Sequence, residues 1–401
     1  MRRASVLLLC GVASISLAFG QQPFLRGRTT TLPVKSAPAK ASSSLIGAGV
    51  TPLPMWNYSI VGAQNGVQYS GAIIGRSPFS RGKTTTSIPT QIVPLVITIQ
   101  DGARSGNHTY DPTTVDSCVT PGTHTDVEVI TGSPIFQNQP WTMNGINVGT
   151  TQYIDAFQRA EFWSLVGGSA YHLMLDQSTL PAQSLTFNTA NGNSNGSSGI
   201  GQNYTFNGLC GPIGVVQIND IDNAIQNLIT GPLATMVNAG TFPIFLTKSV
   251  VFTESGTNIF GNCCILGYHS GFMAGSNLQI YSPFSLDTTG GFGGDVSTLS
   301  HEMGEAINDP TVSNPTMFWG NIGQVVGTCQ NNFEVGDPLS PGFGTPTNEF
   351  TVNGANGLTY HLQELAFFSW FYGGNLGAGG KYSDNGTFGG FAKPCPPGGT
   401  N

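Results

Sequence analysis

A glycine or proline interrupts this chain every five residues on average: 55 Gly and 25 Pro, 80 in all, are spread through 401 residues. Glycine inside a helix or strand costs about 0.5–1 kcal/mol relative to alanine, and proline about 3 kcal/mol inside a helix. Breaks this frequent favour many short strands joined by polar turns and leave room for only a few helices. Charge points the same way, since only 9% of residues are charged against a typical value of about 25%. With 39% apolar residues, including 24 Phe and 11 Tyr, the chain still has ample surface to bury, so disorder is excluded as its general state.

The amino terminus, "MRRASVLLLCGVASISLAFGQQ", sets Arg2 and Arg3 before an apolar run, and Ala18-Phe19-Gly20 fits a small-x-small cleavage site. Residues 1–20 therefore read as a signal peptide, and the mature protein as secreted, extracellular or periplasmic. No later uninterrupted apolar stretch reaches the roughly 18 residues of a membrane span, so no span is expected in the mature chain. Beyond Cys10 remain six cysteines, Cys118, Cys210, Cys263, Cys264, Cys329 and Cys395. An even number in an exported chain predicts disulfides, though spacing does not choose the pairing. Vicinal Cys263 and Cys264 are expected to reach separate partners, and a Cys329–Cys395 bond would tie the tail to the segment discussed below.

Residues 21–55 are rich in Ser, Thr, Ala, Pro and Lys and read as a flexible leader. A single domain spanning 56–401, with a cleft a further feature, is expected to follow. Within it "QIVPLVITIQDG" and "FPIFLTKSVVFTES" read as strands, as does "TDVEVITGSPIF". "TQYIDAFQRAEFWSLV" and "VVQINDIDNAIQNLITGPLATMV" carry apolar residues at helical spacing. "NTANGNSNGSSGIGQN" reads as a polar loop. These elements predict an α+β fold with many short strands, a few helices and long Gly-rich loops.

One segment carries chemistry. "STLSHEMGEAINDP", residues 297–310, begins like the H-E-x-x-H helix of zinc peptidases and then places Glu305 where the second histidine belongs. Asp295 or Ser297 is positioned to cap this helix, and Pro310 ends it. His301 and Glu305, four apart, share a face and offer an imidazole and a carboxylate, both zinc donors. Glu302 takes the position of the general base that acts on water activated by the ion. Asp309 lies about 12 Å along the axis from His301, too far to share its ion, and reads as a hydrogen-bonding partner or turn residue. The third ligand is sought in "NNFEVGDPLS", with Glu334 preferred over Asp337. Two carboxylates with one imidazole make a hard site, so Ca2+ and Mn2+ stay open beside Zn2+. The bland alternative is a helix whose Glu305 merely faces solvent.

"SHEMGEAINDP", together with "FWGNIGQVVGTCQNNFEVGDPLS", "YHLQELAFFSWFYG" and "TQYIDAFQRAEFW", resembles a set of uncharacterised secreted bacterial proteins with a zincin-like HExxE motif. The resemblance runs from about residue 90 onward. It implies a zincin-like domain, with His301 and Glu305 matching metal ligands and Glu302 the base. Glu305 departs from the general zincin pattern at the second histidine. "NCCILGYHSGF" is similar to the Cys-and-His segment of plant phosphate-induced, exordium-like extracellular proteins, which implies a wall-associated role without a known reaction.

The other histidines read first as structure: His269 as a hydrogen-bonded core residue, with metal ligand or proton carrier as its alternative, and His172 and His361 as members of apolar runs, with His361 a secondary candidate for a transition-state donor. Asp155, Glu161, Glu302 and Glu334 could supply the two carboxylates of a glycosidase, but no spacing singles out a pair. No G-x-S-x-G elbow or phosphate-cradling GK[ST] loop occurs. A formal net charge of −7 gives no electrostatic footprint for nucleic acid. The expectation is a secreted metal-dependent hydrolase of the zinc-metallopeptidase kind acting on a peptide or protein. The alternative is a non-catalytic extracellular or wall-associated binding protein with a structural cation or none.

Overall fold

The computed structural model describes residues 28–31, 35–36, 50–80, 84–100, 106–119, 122–188, 203–254, 263–274, 277–292, 295–320, 329–340 and 348–395. The signal-peptide segment 1–20 and most of the polar loop 188–203 lie outside them. The expected zincin-like α+β fold is overturned: the protein is mostly β, 42% strand and 19% helix, built on a nearly closed, barrel-like sheet. The frequency of glycine and proline is the physical reason, because it limits helices to a few short pieces while leaving strands intact.

The main sheet has twelve strands, and its path runs Gln183–Asn188, Thr85–Gln100, Phe242–Lys248, Asn277–Leu286, Cys263–Ala274, Val250–Thr253, Pro212–Gln217 and Tyr204–Asn207. Thr85–Gln100, sixteen residues long, is the backbone of one side. It pairs along its length with His172–Thr179, Gln183–Asn188, Phe242–Lys248 and Asn107–Tyr110. Near its far end the sheet almost meets itself, where the Tyr110 hydroxyl donates to Thr205 Oγ1 at 3.1 Å. Two short pieces of the leader, Arg28–Thr31 and Lys35–Ser36, add in parallel to Cys263–Ala274.

Alternation along Cys263–Ala274 sends successive side chains to opposite faces. Tyr268 reaches Asp222 of the helix Ile218–Thr230 on one face. Its neighbours Gly267 and His269 face the helix Ser297–Asn308 on the other. A Cβ at 267 would stand 2.8 Å from Thr298 Cγ2 and 3.2 Å from Glu302 Cγ. Glycine there is what lets this second helix, hereafter the site helix, dock so close to the strand. The helix also packs on Thr359–Gln363 and Gln68–Ile74.

The helices expected from periodicity appear as Tyr153–Glu161 followed by Trp163–Val166, and as Ile218–Thr230. "TDVEVIT" is corrected from strand to helix: Asp126–Thr131 opens with a capping box, the Thr125 side chain on the Glu128 N–H and the Glu128 carboxylate on the Thr125 N–H. That reciprocal pair outweighs the β-branched character of the segment. Neither Asp295 nor Ser297 caps the site helix, whose N-cap is Val296, without a side-chain hydrogen bond. Asp295 instead accepts the N–H groups of Val296 and His361. Cys118 bonds Cys210 and Cys329 bonds Cys395, the latter as expected, and Cys264 is also disulfide-bonded.

Candidate metal centre

Every residue of the site helix is buried. Leu299, Met303 and Ile307 form its apolar stripe at 0% exposure, and such side chains contribute on the order of 5–8 kcal/mol together. The same helix carries His301, Glu302 and Glu305 to 1% exposure or less, and each uncompensated buried ion costs several kcal/mol. The two effects are of similar size. Docking this helix therefore depends on compensating its charges.

Three further segments bring partners to it. His269 comes from the strand Cys263–Ala274, with Nδ1 3.1 Å from Glu302 Oε2 and 3.7 Å from Glu305 Oε2. Its Nε2 edge lies 3.3 Å from the Asp309 carbonyl and 3.8 Å from Glu334 Oε2. Asp337, in the 3-10 turn Asp337–Leu339, stands 3.8 Å from His301 Nε2, which is 2.9 Å from Glu305 Oε1. The donors thus gather into two triads that share Glu305: His269, Glu302 and Glu305, and His301, Glu305 and Asp337, the atoms of each within 4.8 Å of one another.

The edges of the centre are held by hydrogen bonds. His301 Nδ1 faces Gln363 Oε1 at 3.1 Å and Ser340 Oγ at 3.2 Å. Gln363 Nε2 in turn donates to the Gly336 carbonyl at 2.6 Å. A proton on Nδ1, donated to Gln363, leaves the Nε2 lone pair directed at Glu305 and Asp337, as a metal-binding histidine requires. The N–H groups of Gly336 and Asp337 both donate to Glu305 Oε1 at 3.2 Å.

With protons as the only counter-charge, the centre titrates far from ordinary values. Burial raises Glu302 to about 7, against the opposing pull of His269 and His301. Burial and then Glu305 hold Glu334 well above the carboxylate range. Burial alone would depress His301, but Glu305 beside it, with Glu302 and Asp337, raises it to about 10. Burial would raise Glu305, and His301 holds it low instead.

The donor atoms fit a cation better than they fit one another. Glu302 Oε1, both Glu334 oxygens and His301 Nε2 are buried without a hydrogen-bond partner. The 2.9 Å contact of His301 Nε2 with Glu305 Oε1 lacks hydrogen-bond alignment. Two donors about 2.1 Å from a shared ion at a tetrahedral angle stand about 3.4 Å apart. The donor contacts of 2.9–3.8 Å straddle that separation.

Of the residues singled out by sequence, the structure brings His301, Glu302, Glu305, Glu334 and Asp337 into one neighbourhood. Asp337 joins the His301–Glu305 triad, while Glu334 lies on the far edge of His269. Asp309 does turn duty, its carboxylate accepting the Ser313 and Asn314 N–H groups at 2.9 Å. His361 pairs with Asp295 at 3.2 Å at the start of the helix, and His172 pairs with Asp155 at 2.7 Å elsewhere. Glu161 is occupied by the Phe368 N–H and Gln158. Sequence reasoning ranked His269 as structural ahead of ligand or proton carrier, and it missed Gln363 and Ser340. Each arrives from a different segment, and no local spacing announces them.

Compared with protein-family models, with curated proteins and with solved structures, the chain finds no match.

Proposed function

We propose that this chain is a secreted metal-dependent hydrolase whose buried His/Glu/Asp centre holds a divalent cation, with peptide bonds as its substrate class. The observation that carries it is the set of buried donors without hydrogen-bond partners, Glu302 Oε1, Glu334 Oε1 and Oε2 and His301 Nε2. Mixed imidazole and carboxylate donors suit zinc first, with manganese and calcium as harder substitutes. A cation bound there would polarise a substrate carbonyl and make an adjacent water acidic at neutral pH. Glu302, whose Oε1 has no hydrogen-bond partner, would take that water's proton and return it to the leaving amine. His301 is oriented by Gln363 and Ser340, and Glu305 is anchored by the Gly336 and Asp337 N–H groups. The Cys118–Cys210 and Cys329–Cys395 disulfides support the secreted placement, and among the described residues no helix is long and apolar enough to cross a membrane.

A second reading, a non-catalytic extracellular binding protein with a structural cation, is favoured by one observation: none of the donor residues is more than 7% exposed. Elemental analysis of the mature protein, beside His301→Ala and Glu305→Ala, tests the shared premise. Stoichiometric metal in the wild type and its loss in both variants is the expected result. Absence of metal that added Zn2+, Mn2+ or Ca2+ cannot restore overturns both readings. A peptide-library cleavage assay separates them. Turnover abolished in Glu302→Gln, with the His301-held ion retained, supports the hydrolase. A metal-loaded wild type that cleaves nothing leaves the structural cation.

A further inference from the structure

The centre gathers six donor residues, His269, His301, Glu302, Glu305, Glu334 and Asp337, more than the four a tetrahedral zinc takes. Donors to a common ion lie at most about 4.2 Å apart, twice a bond of about 2.1 Å. Each imidazole has its own pair of carboxylates inside that limit: His269 Nδ1 is 3.1 Å from Glu302 and 3.7 Å from Glu305, and His301 Nε2 is 2.9 Å from Glu305 and 3.8 Å from Asp337. Glu305 belongs to both, and it divides its oxygens between them: Oε1 is 2.9 Å from His301 Nε2, and Oε2 is 3.7 Å from His269 Nδ1. A carboxylate that presents one oxygen to each of two donor sets has the geometry of a bridge between two ions.

Charge supports the same count. Glu302, Glu305 and Asp337, the carboxylates of the two triads, are all buried, at 0–7% exposure, and among the described residues neither Glu302 nor Glu305 pairs with a lysine or arginine. Each triad sets two buried carboxylates beside one imidazole, so each has negative charge of its own for a divalent cation to meet. The neighbouring Asp309 carboxylate has its own backbone donors. Buried atoms without a hydrogen-bond partner fall on both sides of the bridge, His301 Nε2 on one and Glu302 Oε1 on the other.

We propose that the centre is binuclear, with one divalent cation held by His301, Glu305 and Asp337, a second by His269, Glu302 and Glu305, and Glu305 as the bridging carboxylate. This rests on the metal-site reading above and adds the second ion and its ligand His269. Paired divalent ions about 3.5–4 Å apart clamp the attacking and leaving oxygens in many hydrolytic sites. In this arrangement Glu302 ligates through Oε2 and keeps Oε1 for the proton.

The test is reconstitution of the chelator-stripped wild type with Mn2+, read by native mass spectrometry and electron paramagnetic resonance. Two Mn2+ per chain with an exchange-coupled spectrum is the expected result. His269→Ala should then fall to one Mn2+ with the spectrum of an isolated ion, and the wild-type measurement stands even if that variant does not fold. Saturation at one Mn2+ overturns the binuclear centre while leaving a single-ion site intact. Two Mn2+ without coupling overturns the Glu305 bridge. No bound Mn2+, Zn2+ or Ca2+ overturns the metal-site reading itself, and the inference with it.

Discussion

Gly336 lies flat against the His301 imidazole, so close that a Cβ at position 336 would stand 2.3 Å from Nδ1 and 2.5 Å from Cγ. The Gly336 backbone is at φ −85°, ψ −33°, which any residue adopts. The requirement is therefore one of space. Gly336→Ala should displace the ring or the turn, costing about 1–3 kcal/mol as overpacking does, and should reduce metal retention. Thermal melting together with metal stoichiometry checks this. An alanine variant that melts and binds like wild type would show that the turn yields freely.

Gln363 tests how the histidine is oriented. Its Oε1 faces His301 Nδ1 and its Nε2 donates to the Gly336 carbonyl. Gln363→Ala removes both contacts, and loss of such an outer partner lowers metal affinity about 10–100-fold. A chelator competition titration reads the change. Unchanged affinity would mean that Ser340 alone fixes the ring.

The site helix and its HExxE spacing were legible because both are local: i, i+4 geometry is written in five consecutive residues. Asp337 and Glu334 were reachable from "FEVGD" because acidic groups are scarce in this chain. His269 was ranked as structural first, since a histidine in an apolar strand looks the same whether it faces a core or a carboxylate cluster. What turns it toward Glu302 is the pleat of Cys263–Ala274 together with the bare face of Gly267, and both emerge only once strand and helix are docked. The sheet's near closure was hidden for a similar reason. Contacts such as Tyr110 with Thr205 join strands far apart in sequence, and alternation within one strand says nothing about which strand lies beside it. The "TDVEVIT" helix, by contrast, announced itself in the T-x-x-E of Thr125 and Glu128, a local signal overlooked in favour of β-branched residues.

The Cys329–Cys395 bond links the tail to the centre through a short chain of contacts. Cys329 precedes Gln330, whose Nε2 donates to Asp337 Oδ2 at 2.5 Å, and Cys395 hydrogen-bonds the Phe318 carbonyl at 3.0 Å. Closing 66 residues of separation should contribute about 2–4 kcal/mol of stability. Cys395→Ser should lose that amount and also bind metal more weakly, because Asp337 loses the support behind Gln330. Denaturant unfolding gives the first quantity and chelator competition the second. Lost stability with metal affinity unaltered would show that Asp337 is held without the tail.

Asp126 gives a pH dependence separate from the metal centre. It is fully buried with neither carboxylate oxygen hydrogen-bonded in its ionised form. Burial, then the charge of Asp116, raises it to about 8. Burial would raise Asp116 too, but the Thr288 hydroxyl, the Cys118 N–H and a proton shared from Asp126 hold it low. Two ionised carboxylates are both acceptors, so a proton on Asp126 is what makes their contact a hydrogen bond. For a raised acid the folded state keeps the proton longer, so the stability it contributes is complete below the unfolded value of 3.8 and is lost as pH rises through about 8. The slope approaches about 1.4 kcal/mol per pH unit within that window. Asp116, lowered, acts in the opposite sense and only below its ordinary value of 3.8. Asp126→Asn, an amide that can donate to Asp116 at every pH, should remove the loss: melting temperatures of variant and wild type should lie close at about pH 4 and separate progressively in the variant's favour toward pH 8. A constant difference across that range would place the proton elsewhere.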